Sequence, residues 1–556
     1  PLQHYTRPKE SPPPFRNTPD TPFFQENERA ALRAALNRLR RRLPETCGPV
    51  IGGRRASTES LIHSINPAHP DEVIANVHQA DIPLAERAIA VARTAFPTWR
   101  DRSFRERAQV LFDAAAIMRR ERAELTALEV LETAKPWREA DADVAEAIDY
   151  LEYYGREAIA LENGYRPLSL PGEQNDYVYR PRGIALVISP WNFPLAIPTG
   201  MTSAALVAGN AVILKPAEPS PLIASRLIDI LHRAGAPPGA LQFLTAKGST
   251  VGAYLVEHPD VDIIAFTGSR QVGLGIIEAA GRTKPGQRNV KRVIAEMGGK
   301  NAIIVDDDAD LDQAVLGIVR SAFGYAGQKC SACSRVIAIG PIYEELAARL
   351  IEAVRSLPVG PPEDPASFLP PVITAQAKRA IEGYIETGKK EARLLFQGEA
   401  PTGRAIPLRG SPGPGGLGME DGGYYVPPTL FGDVSPQAVI AQEEIFGPVL
   451  ALMRAATLEE AVETALLTPY ALTGGFYSRS PSHIEYARRR FQVGNLYINR
   501  GITGAMVGRQ PFGGFGMSGV GSKAGGPDYL RQFLEPRTIT ENLLRRGFAY
   551  RRGAAK

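Results

Sequence analysis

The amino-acid sequence predicts an α/β protein built from two successive units, each with a parallel sheet. From residue 183 onward, short apolar runs alternate with helical stretches, which is typical of βαβ units. The alternation repeats after residue 300, and 556 residues are more than a single hydrophobic core normally serves. Two domains with a cleft between them are therefore expected.

The first half of the chain reads in order as an arm, a helical region and a first sheet. Residues 1–28 are Pro-rich and polar and predict an extended arm. The stretch LNRLRRRL (36–43) has leucines at helical spacing, which favours a solvated amphipathic helix over a nucleic-acid patch. Three helical stretches are expected between 81 and 162 (82–100, 104–133 and 140–162), because apolar residues recur every three or four positions. Strands are predicted at 183–189, 210–215, 241–245, 262–268 and 292–298, with helices at 200–209, 220–234 and 250–257.

The second half repeats this pattern around one Pro/Gly-rich loop. Strands are predicted at 301–307, 334–340, 448–455 and 474–478, with helices at 342–356, 374–387, 457–467 and 481–490. The loop 401–423 contains GPGGLG (413–418), which matches the glycine spacing of a dinucleotide-binding turn. Such a turn needs a strand before it and a helix after it, and here prolines precede and MEDGGYY follows. The stretch predicts a loop without a nucleotide.

Composition excludes several classes of protein. The net charge is +4, which gives no reason to expect nucleic acid as a partner. No apolar run approaches the ~18–20 residues of a membrane span, and the N-terminal residues lack an apolar signal segment. Three cysteines are too few for a disulfide framework. A cytoplasmic protein that contacts no membrane is expected.

Two of those cysteines form a C-x-x-C pair in FGYAGQKCSACSR (323–335). Cys330 and Cys333 could be a redox dithiol, half of a zinc site, or one nucleophile with a neighbour that only packs. A zinc site needs four ligands, and the histidines show no paired spacing, so no metal is expected. The length of the chain and the residues between the cysteines disfavour a thioredoxin-type dithiol.

A nucleophilic thiol needs partners, and two candidates stand at predicted strand ends. Asn192 in SPWNFP carries amide donors for an oxyanion, and Glu296 in AEMGGK could move a proton. Taken alone, Asn192 could be a cap and Glu296 a solvated loop residue. Lys300, beside Glu296, is interpreted as a surface charge without a catalytic step.

These motifs together resemble the aldehyde dehydrogenase superfamily. PWNFP, GNAVILKPAE, FTGS, EMGGK, GQKCSACSR, EEIFGP and PFGGF occur in the order of that family, and the likeness runs from about 45 to 545. It implies the aldehyde dehydrogenase-like fold, with two Rossmann-like domains and a small oligomerisation hairpin. The implied division is an NAD-binding domain with an N-terminal helical arm (1–165 and 184–296), a catalytic domain (297–514) and oligomerisation segments (166–183 and 515–556).

The resemblance also implies a mechanism. Cys330 would attack an aldehyde to give a thiohemiacetal, whose oxyanion meets the Asn192 amide and the Cys330 backbone N–H. Hydride would pass to the nicotinamide and leave a thioester, which Glu296 would help to hydrolyse by deprotonating water. On this interpretation Cys333 only packs.

NAD is the implied cofactor. Lys215 and Glu218 would bind the adenine ribose, Ser269 the pyrophosphate, and Glu444 with Phe446 the nicotinamide ribose and ring. The full implied set is Ser189, Trp191, Lys215, Glu218, Gly248, Gly252, Phe266, Ser269, Glu444 and Phe446. Glu218 would repel a 2′-phosphate, so NAD is preferred, although the adjacent Lys215 leaves NADP open.

Three stretches resemble the 1-pyrroline-5-carboxylate dehydrogenases of proline catabolism more than other members: KPWREADADVAEAIDYLEYY, GQKCSA and NRGITGAMVGRQPFGG. That likeness implies L-glutamate γ-semialdehyde as the substrate, oxidised to L-glutamate. The implied contacts are Ser331, Gly504 and Ala505 for its carboxylate, Glu139 for its ammonium, and Phe193 and Phe512 beside its stem. A dehydrogenase of another semialdehyde, or a non-catalytic member, is the alternative.

The superfamily also implies a homodimer, or an assembly of dimers, formed by residues near 166–183 and 535–545. A proline dehydrogenase is expected as a pathway partner, and none is recognisable within this chain. The stretch FLPPVI (368–373) carries Pro370 and Pro371 where relatives usually have Gly before Pro, and it is expected to lie away from the chemistry.

Overall fold

The structure is a computed structural model that describes residues 12–401 and 422–544. Its helices, in chain order, are α1 Glu26–Arg40, α2 Ile82–Arg100, α3 Phe104–Arg120, α4 Arg122–Thr133, α5 Trp137–Leu161, α6 Ala196–Val207, α7 Pro221–Arg233, α8 Ala253–Glu257, α9 Arg270–Gly281, α10 Leu311–Phe323, α11 Tyr343–Arg355, α12 Ala375–Glu391, α13 Val439–Gln442, α14 Leu458–Leu466 and α15 Pro481–Arg490. Short helical turns lie at Gly248–Gly252, Gly324–Gly327, Gly340–Ile342 and Leu530–Phe533.

The strands are equally distributed over both halves. They are β1 Glu45–Cys47, β2 Val50–Ile51, β3 Arg54–Arg55, β4 Leu61–Asn66, β5 His69–His78, β6 Glu173–Pro181, β7 Ile184–Ile188, β8 Ala211–Lys215, β9 Leu241–Phe243, β10 Val261–Thr267, β11 Arg292–Glu296, β12 Asn301–Val305, β13 Cys333–Ile339, β14 Arg393–Gln397, β15 Thr429–Gly432, β16 Val449–Ala455, β17 Tyr470–Ala471, β18 Thr473–Tyr477, β19 Asn495–Ile498, β20 Phe515–Gly516, β21 Gly519–Val520 and β22 Leu534–Asn542.

The first sheet is built around five parallel strands in the order β11-β10-β7-β8-β9. The short strands β2 and β3 extend one edge, and β21 pairs antiparallel with β11 at the other. This sheet has an apolar core on each face, one formed mainly with α1 and α3 to α7 and the other mainly with α2, α8 and α9. The carboxyl ends of β7, β8, β10 and β11 therefore meet along one edge, where ligands bind in such sheets.

The second sheet has the order β14-β15-β16-β13-β12-β18-β19, and all its strands except β14 run parallel. It has a separate core formed with α10, α11, α12 and α14. The prediction of two α/β units with parallel sheets is therefore confirmed.

The structure differs from the sequence prediction at several elements. The helical stretch 104–133 consists of two helices, because Glu121 leaves helical geometry with φ −99° and ψ 10° while the apolar spacing continues across it. The arm is extended from residue 12 but gives way to α1 at Glu26. The prediction of an amphipathic helix at LNRLRRRL holds for its first five residues, since α1 ends at Arg40 with Leu36 and Leu39 buried, and residues 41–43 lie beyond it. The loop 401–423, including the GPGGLG motif, lies almost wholly outside the described residues.

Strands β6 and β22 form a separate two-stranded antiparallel ribbon, in which residues 534–542 pair with 173–181 of the same chain. Exposed apolar side chains cluster around it, notably Leu168 (95% exposed) and Leu170 (72%). Within residues 12–401 and 422–544, none of the helices combines the length and apolar character needed to cross a membrane.

Candidate active site

The segment before Cys330 is a left-handed turn that presents the thiol at the cleft. Tyr325, Ala326 and Gly327 have φ values of 52°, 53° and 71°. Such geometry costs about 1–3 kcal/mol for each non-glycine residue, so the surroundings must hold it. The Tyr325 hydroxyl donates to the Thr133 carbonyl at 2.8 Å. A Cβ on Gly327 would lie 2.4 Å from the Gly447 carbonyl, so only glycine fits this approach.

Asn301 fixes the backbone around the thiol, although no pattern in the sequence indicates this role. Its side-chain amide donates to the carbonyls of Cys330 at 2.7 Å and Ala332 at 2.9 Å. Its own oxygen accepts from the Thr473 N–H at 3.0 Å. A buried Asn at the start of β12 thus ties the nucleophile turn to β18.

Asn192 is buried beside the same turn. Its amide donates to the Gln328 carbonyl at 3.0 Å, two residues before Cys330. The amide nitrogen carries two hydrogens, so a second donor remains for a substrate oxygen. The structure therefore brings Asn192 and Cys330 together as the sequence predicted.

Gln328 links this site to the stretch that carries Pro370 and Pro371. Its side-chain oxygen accepts from the Ile373 N–H at 2.9 Å, and its amide lies 3.5 Å from the Pro371 carbonyl. The expectation that 368–373 lies away from the chemistry is wrong. This stretch contacts the nucleophile turn through Gln328, a residue of the GQKCSACSR motif whose contacts with 368–373 the sequence does not indicate.

Glu296 ends β11, and burial raises its pKa to about 8. The Gly514 N–H, which donates to its carboxylate at 3.2 Å, and the Lys523 ammonium both lower that pKa, but less than burial raises it. A carboxyl group with a pKa near neutral can accept and release protons at physiological pH.

Lys523 is a further residue that sequence reasoning missed. Its ammonium donates to the carbonyls of Gly494 at 2.7 Å and Gly513 at 2.5 Å. It therefore holds the turn whose next amide, that of Gly514, donates to Glu296. Lys523 both positions the carboxylate and favours its charged form.

The two cysteines of the C-x-x-C pair have different surroundings. Cys330 is partly exposed, whereas Cys333 is 1% exposed in β13 and contacts the Arg335 carbonyl at 3.3 Å. Burial, with the nearby carboxylates of Glu444 and Glu296, raises the pKa of Cys330 to about 12. If Cys330 acts as a nucleophile, this raised pKa requires that the thiol lose its proton before it attacks.

The cysteine pair does not belong to any group of three or more potential metal ligands within residues 12–401 and 422–544. Among the described residues, the one group of potential metal-binding side chains is Asp306, Asp307 and Asp308, after β12.

Lys300 does not lie at the surface, because it is 1% exposed, and burial lowers its pKa to about 7. Its interpretation as a surface charge is wrong.

The predicted residues for the adenine end of the cofactor lie at adjoining strand ends. The Ser189 N–H donates to the Lys215 carbonyl at 3.2 Å, which joins the ends of β7 and β8. Glu218 accepts from the Gly248 N–H at 3.2 Å, and Gly252 lies next to the stem of Lys215. These five residues surround one position, as a binding site for a ribose with free hydroxyls requires.

Ser269 caps the N-terminus of α9, where its hydroxyl accepts from the Val272 N–H at 3.4 Å. A helix N-terminus favours anions, which fits a pyrophosphate contact. Phe266 is 4% exposed in β10 and belongs to the core beneath this turn.

Glu444, Phe446 and Trp191 form a second cluster between the two sheets. Glu444 accepts from the Gly299 N–H at 2.9 Å, and burial raises its pKa. Phe446 has φ 57°, and its ring stands edge-on to Trp191 with centroids 5.6 Å apart. The Glu444 carboxylate and the Phe446 ring thus face the same space as Cys330. The charge of Glu444 raises the pKa of the Cys330 thiol.

The predicted substrate contacts reveal an unexpected ion pair. Glu139, in the first turn of α5, lies 2.7 Å from the Lys329 ammonium, directly before Cys330. Burial raises the pKa of Glu139, but Lys329, helped by Lys135, lowers it below its usual range. Glu139 is therefore a carboxylate at neutral pH, and Lys329 adds a cation that the sequence did not predict.

The other predicted contacts flank the cleft. The Lys135 ammonium lies 4.2 Å from the centre of the Phe193 ring. Ser331 follows the thiol, and its carbonyl accepts from the Thr473 hydroxyl at 3.3 Å. Ala505 is partly exposed beside exposed Gly504, which has φ 76°. Phe512 exchanges two backbone hydrogen bonds with Ala524.

Residues 54–539 match the Aldehyde dehydrogenase family. The chain belongs to this family. A 1-pyrroline-5-carboxylate dehydrogenase of Geobacillus kaustophilus is 49% identical over 95% of this chain and 99% of its own. The second such enzyme of Bacillus subtilis is 46% identical with the same coverage.

Solved structures agree with this assignment. A 1-pyrroline-5-carboxylate dehydrogenase from Thermus with bound NAD superposes with a TM-score of 0.91 at 47% identity, covering 96% of this chain and all of its own. Proline utilization A from Bdellovibrio bacteriovorus has a TM-score of 0.92 at 46% identity over 97% of this chain. This chain spans only 55% of that protein's length. The predicted aldehyde dehydrogenase-like fold is confirmed.

Proposed function

We propose that this enzyme oxidises L-glutamate γ-semialdehyde, the open form of 1-pyrroline-5-carboxylate, to L-glutamate with NAD. The observation that supports this substrate most is the Glu139–Lys329 ion pair beside Cys330. A zwitterionic amino-acid head needs an acid for its ammonium and donors for its carboxylate. Relatives 46–49% identical over almost their whole length bear the name of this activity.

NAD, when bound, supplies the hydride acceptor that converts the aldehyde adduct of Cys330 into a thioester. On this chain its adenine ribose would lie against Lys215 and Glu218, its pyrophosphate at Ser269, and its nicotinamide end against Glu444 and Phe446. The carboxylate of Glu218 already faces the Gly248 turn and would oppose a 2′-phosphate, which supports NAD over NADP.

The chain's own groups carry the remaining steps. The Cys330 thiol gives its proton to water as its sulfur bonds to the aldehyde carbon, and the carbonyl oxygen gains the charge that the free Asn192 N–H and the Cys330 N–H stabilise. Once hydride has left, Glu296 takes a proton from water as the water oxygen bonds to the thioester carbon. The carbon–sulfur bond then breaks, and the sulfur regains a proton.

Substrate oxidation tests this proposal. NADH formation is measured for the wild type with 1-pyrroline-5-carboxylate, succinic semialdehyde and pentanal, an aldehyde of equal chain length without either charge. The proposal expects kcat/KM to be highest for 1-pyrroline-5-carboxylate. A higher value for another semialdehyde would reassign the substrate, and no turnover of any aldehyde would favour a non-catalytic protein.

Two matched variants test the nucleophile. Cys330→Ala is expected to abolish NADH formation, whereas Cys333→Ala retains it within about twofold, because the second sulfur only packs in β13. Loss of turnover in a folded Cys333→Ala protein would contradict the assignment.

We further propose a dimer in which the ribbon of β6 and β22, within the segments 166–183 and 515–556, contacts a second copy. Its exposed leucines at 168 and 170 support this, since such apolar groups are usually covered. Residues 1–165 with 184–296 would then form the NAD-binding domain and 297–514 the catalytic domain. Light scattering of the purified chain measures the number of copies in the assembly.

A cytoplasmic site of action, with a proline dehydrogenase as the source of substrate, fits this function.

A further inference from the structure

The extended arm lies on α5 and is held there by buried carboxylates. The Thr18 N–H donates to Asp149 at 2.7 Å, and the Thr21 N–H and hydroxyl donate to Asp141 at 2.8 and 2.6 Å. Arg156, also on α5, donates to the Pro13 carbonyl at 2.8 Å. The arm is therefore a fixed part of the fold from residue 13 onward.

Asn17 connects this arm to a segment almost the whole chain away. Its amide nitrogen donates to Asp149 at 2.9 Å and also to the Val507 carbonyl at 2.9 Å. Both hydrogens of one side-chain amide are thus used, one on α5 and one on the loop that follows Gly504 and Ala505.

Phe15 makes a second contact with the same loop. Its ring meets Tyr153 edge-on with centroids 5.2 Å apart. Gly508 packs against both rings, since a Cβ there would lie 3.0 Å from Phe15 and 3.3 Å from Tyr153, and its φ of 72° also suits glycine.

The loop is held at its other end by the body of the protein. The Ile502 N–H donates to the Ser321 hydroxyl at 3.0 Å, and Ser321 belongs to α10. Between these two supports lie Gly504 and Ala505, whose backbone amides are the proposed donors to the substrate carboxylate. Amides can serve this purpose only if their positions are fixed to a fraction of an ångström.

We infer that Asn17, with Phe15, is a positioning residue that sets the 504–505 amides and so gives the enzyme its preference for aldehydes bearing a carboxylate. This inference rests on the proposed function. Asn17 touches neither substrate nor cofactor in this account, and it acts through the Val507 carbonyl. The arm is therefore part of the specificity of the active site.

The test compares two substrates in three variants. Glutamate semialdehyde requires the 504–505 amides, and pentanal does not. Asn17→Ala removes the hydrogen bond to the Val507 carbonyl and one of the two donors to Asp149, so kcat/KM for glutamate semialdehyde is expected to fall about tenfold, mainly through KM. Phe15→Ala is expected to act in the same direction. For pentanal, and for the KM of NAD, changes within about twofold are expected.

Thr21→Val is the matched control, because it removes an arm contact to α5 that does not reach the loop. Its ratio of kcat/KM for the two substrates should equal that of the wild type. An unchanged ratio in Asn17→Ala and Phe15→Ala, or an equal loss on both substrates, would overturn the inference. A wild type that does not oxidise glutamate semialdehyde would instead overturn the proposed function on which it rests.

Discussion

Glu296 ends β11 and Glu139 lies in the first turn of α5, and their surroundings shift their pKa values in opposite directions. Burial raises both values. At Glu296 it prevails and gives a pKa of about 8, whereas at Glu139 the Lys329 ammonium 2.7 Å away outweighs it. The same side chain thus has a pKa near neutral where no cation is in contact with it and stays charged where one is in contact. The proposed roles of Glu296 as base and of Glu139 as ion-binding group rest on this difference.

Removal of the titrating carboxyl of Glu296 is expected to have the largest effect on turnover. Glu296→Gln keeps the shape and loses the proton acceptor, so hydrolysis of the thioester is expected to slow by about 10²–10⁴-fold. Rapid mixing with substrate and NAD should give a burst of NADH close to one per active site, followed by very slow turnover. A steady-state rate equal to that of the wild type would show that another group acts as the base.

Removing the cation that holds Glu139 charged is the next largest effect. Lys329→Met leaves a partly buried carboxyl without its partner and should raise the pKa of Glu139. Selectivity for glutamate semialdehyde over pentanal is expected to fall about tenfold to a hundredfold, measured as a ratio of kcat/KM. Lys389→Met, an exposed lysine paired with Glu386, is the control. Unchanged selectivity would show that the Glu139–Lys329 ion pair does not contribute to substrate binding.

The variant Lys523→Met tests whether the Lys523 ammonium lowers the pKa of Glu296. A base must be unprotonated, so wild-type deacylation should rise with pH up to about pH 8. Lys523→Met removes a nearby cation and should move this rise to higher pH, with a loss of about threefold to tenfold at pH 7. The readout is the pH profile of the slow phase after the NADH burst. A uniform loss at every pH would indicate a structural role only.

The smallest effect is on stability. Because the pKa of Glu296 is raised on folding, its contribution to stability is present at low pH and is lost as pH rises toward 8; for Glu139, with a lowered pKa, stability is lost as pH falls. At pH 9, Glu296→Gln should therefore raise Tm by about 1–2 °C, whereas Glu139→Gln should lower it at pH 7 by a similar amount. Thermal unfolding of both variants and wild type measures this. Equal Tm shifts of the same sign in the two variants would contradict the opposite pKa shifts of Glu296 and Glu139.

Much of the architecture follows from local sequence patterns. The runs 183–189 and 301–307 are apolar, and this composition predicts the buried parallel strands found there. Short motifs near strand ends indicate Cys330, Glu296 and Asn192 as candidate site residues. The split of α3 from α4 at Glu121 is not visible, because the apolar spacing continues through the break.

What the sequence did not reveal are residues whose role depends on distant neighbours. Lys523 contacts Gly494 and Gly513, and Asn17 reaches Val507, so neither belongs to a local pattern. Lys329 lies within the recognised motif GQKCSACSR, but its partner Glu139 lies on α5. Such pairings arise only when the chain is folded.

Mass spectrometry of Glu296→Gln protein, quenched after mixing with NAD and 1-pyrroline-5-carboxylate, tests the account most directly. One added glutamyl group per chain, located by digestion on Cys330 and absent from Cys333, is the predicted result. It would establish substrate, nucleophile and base in one experiment. A modified Cys333, or unmodified protein despite NADH release, would contradict the account.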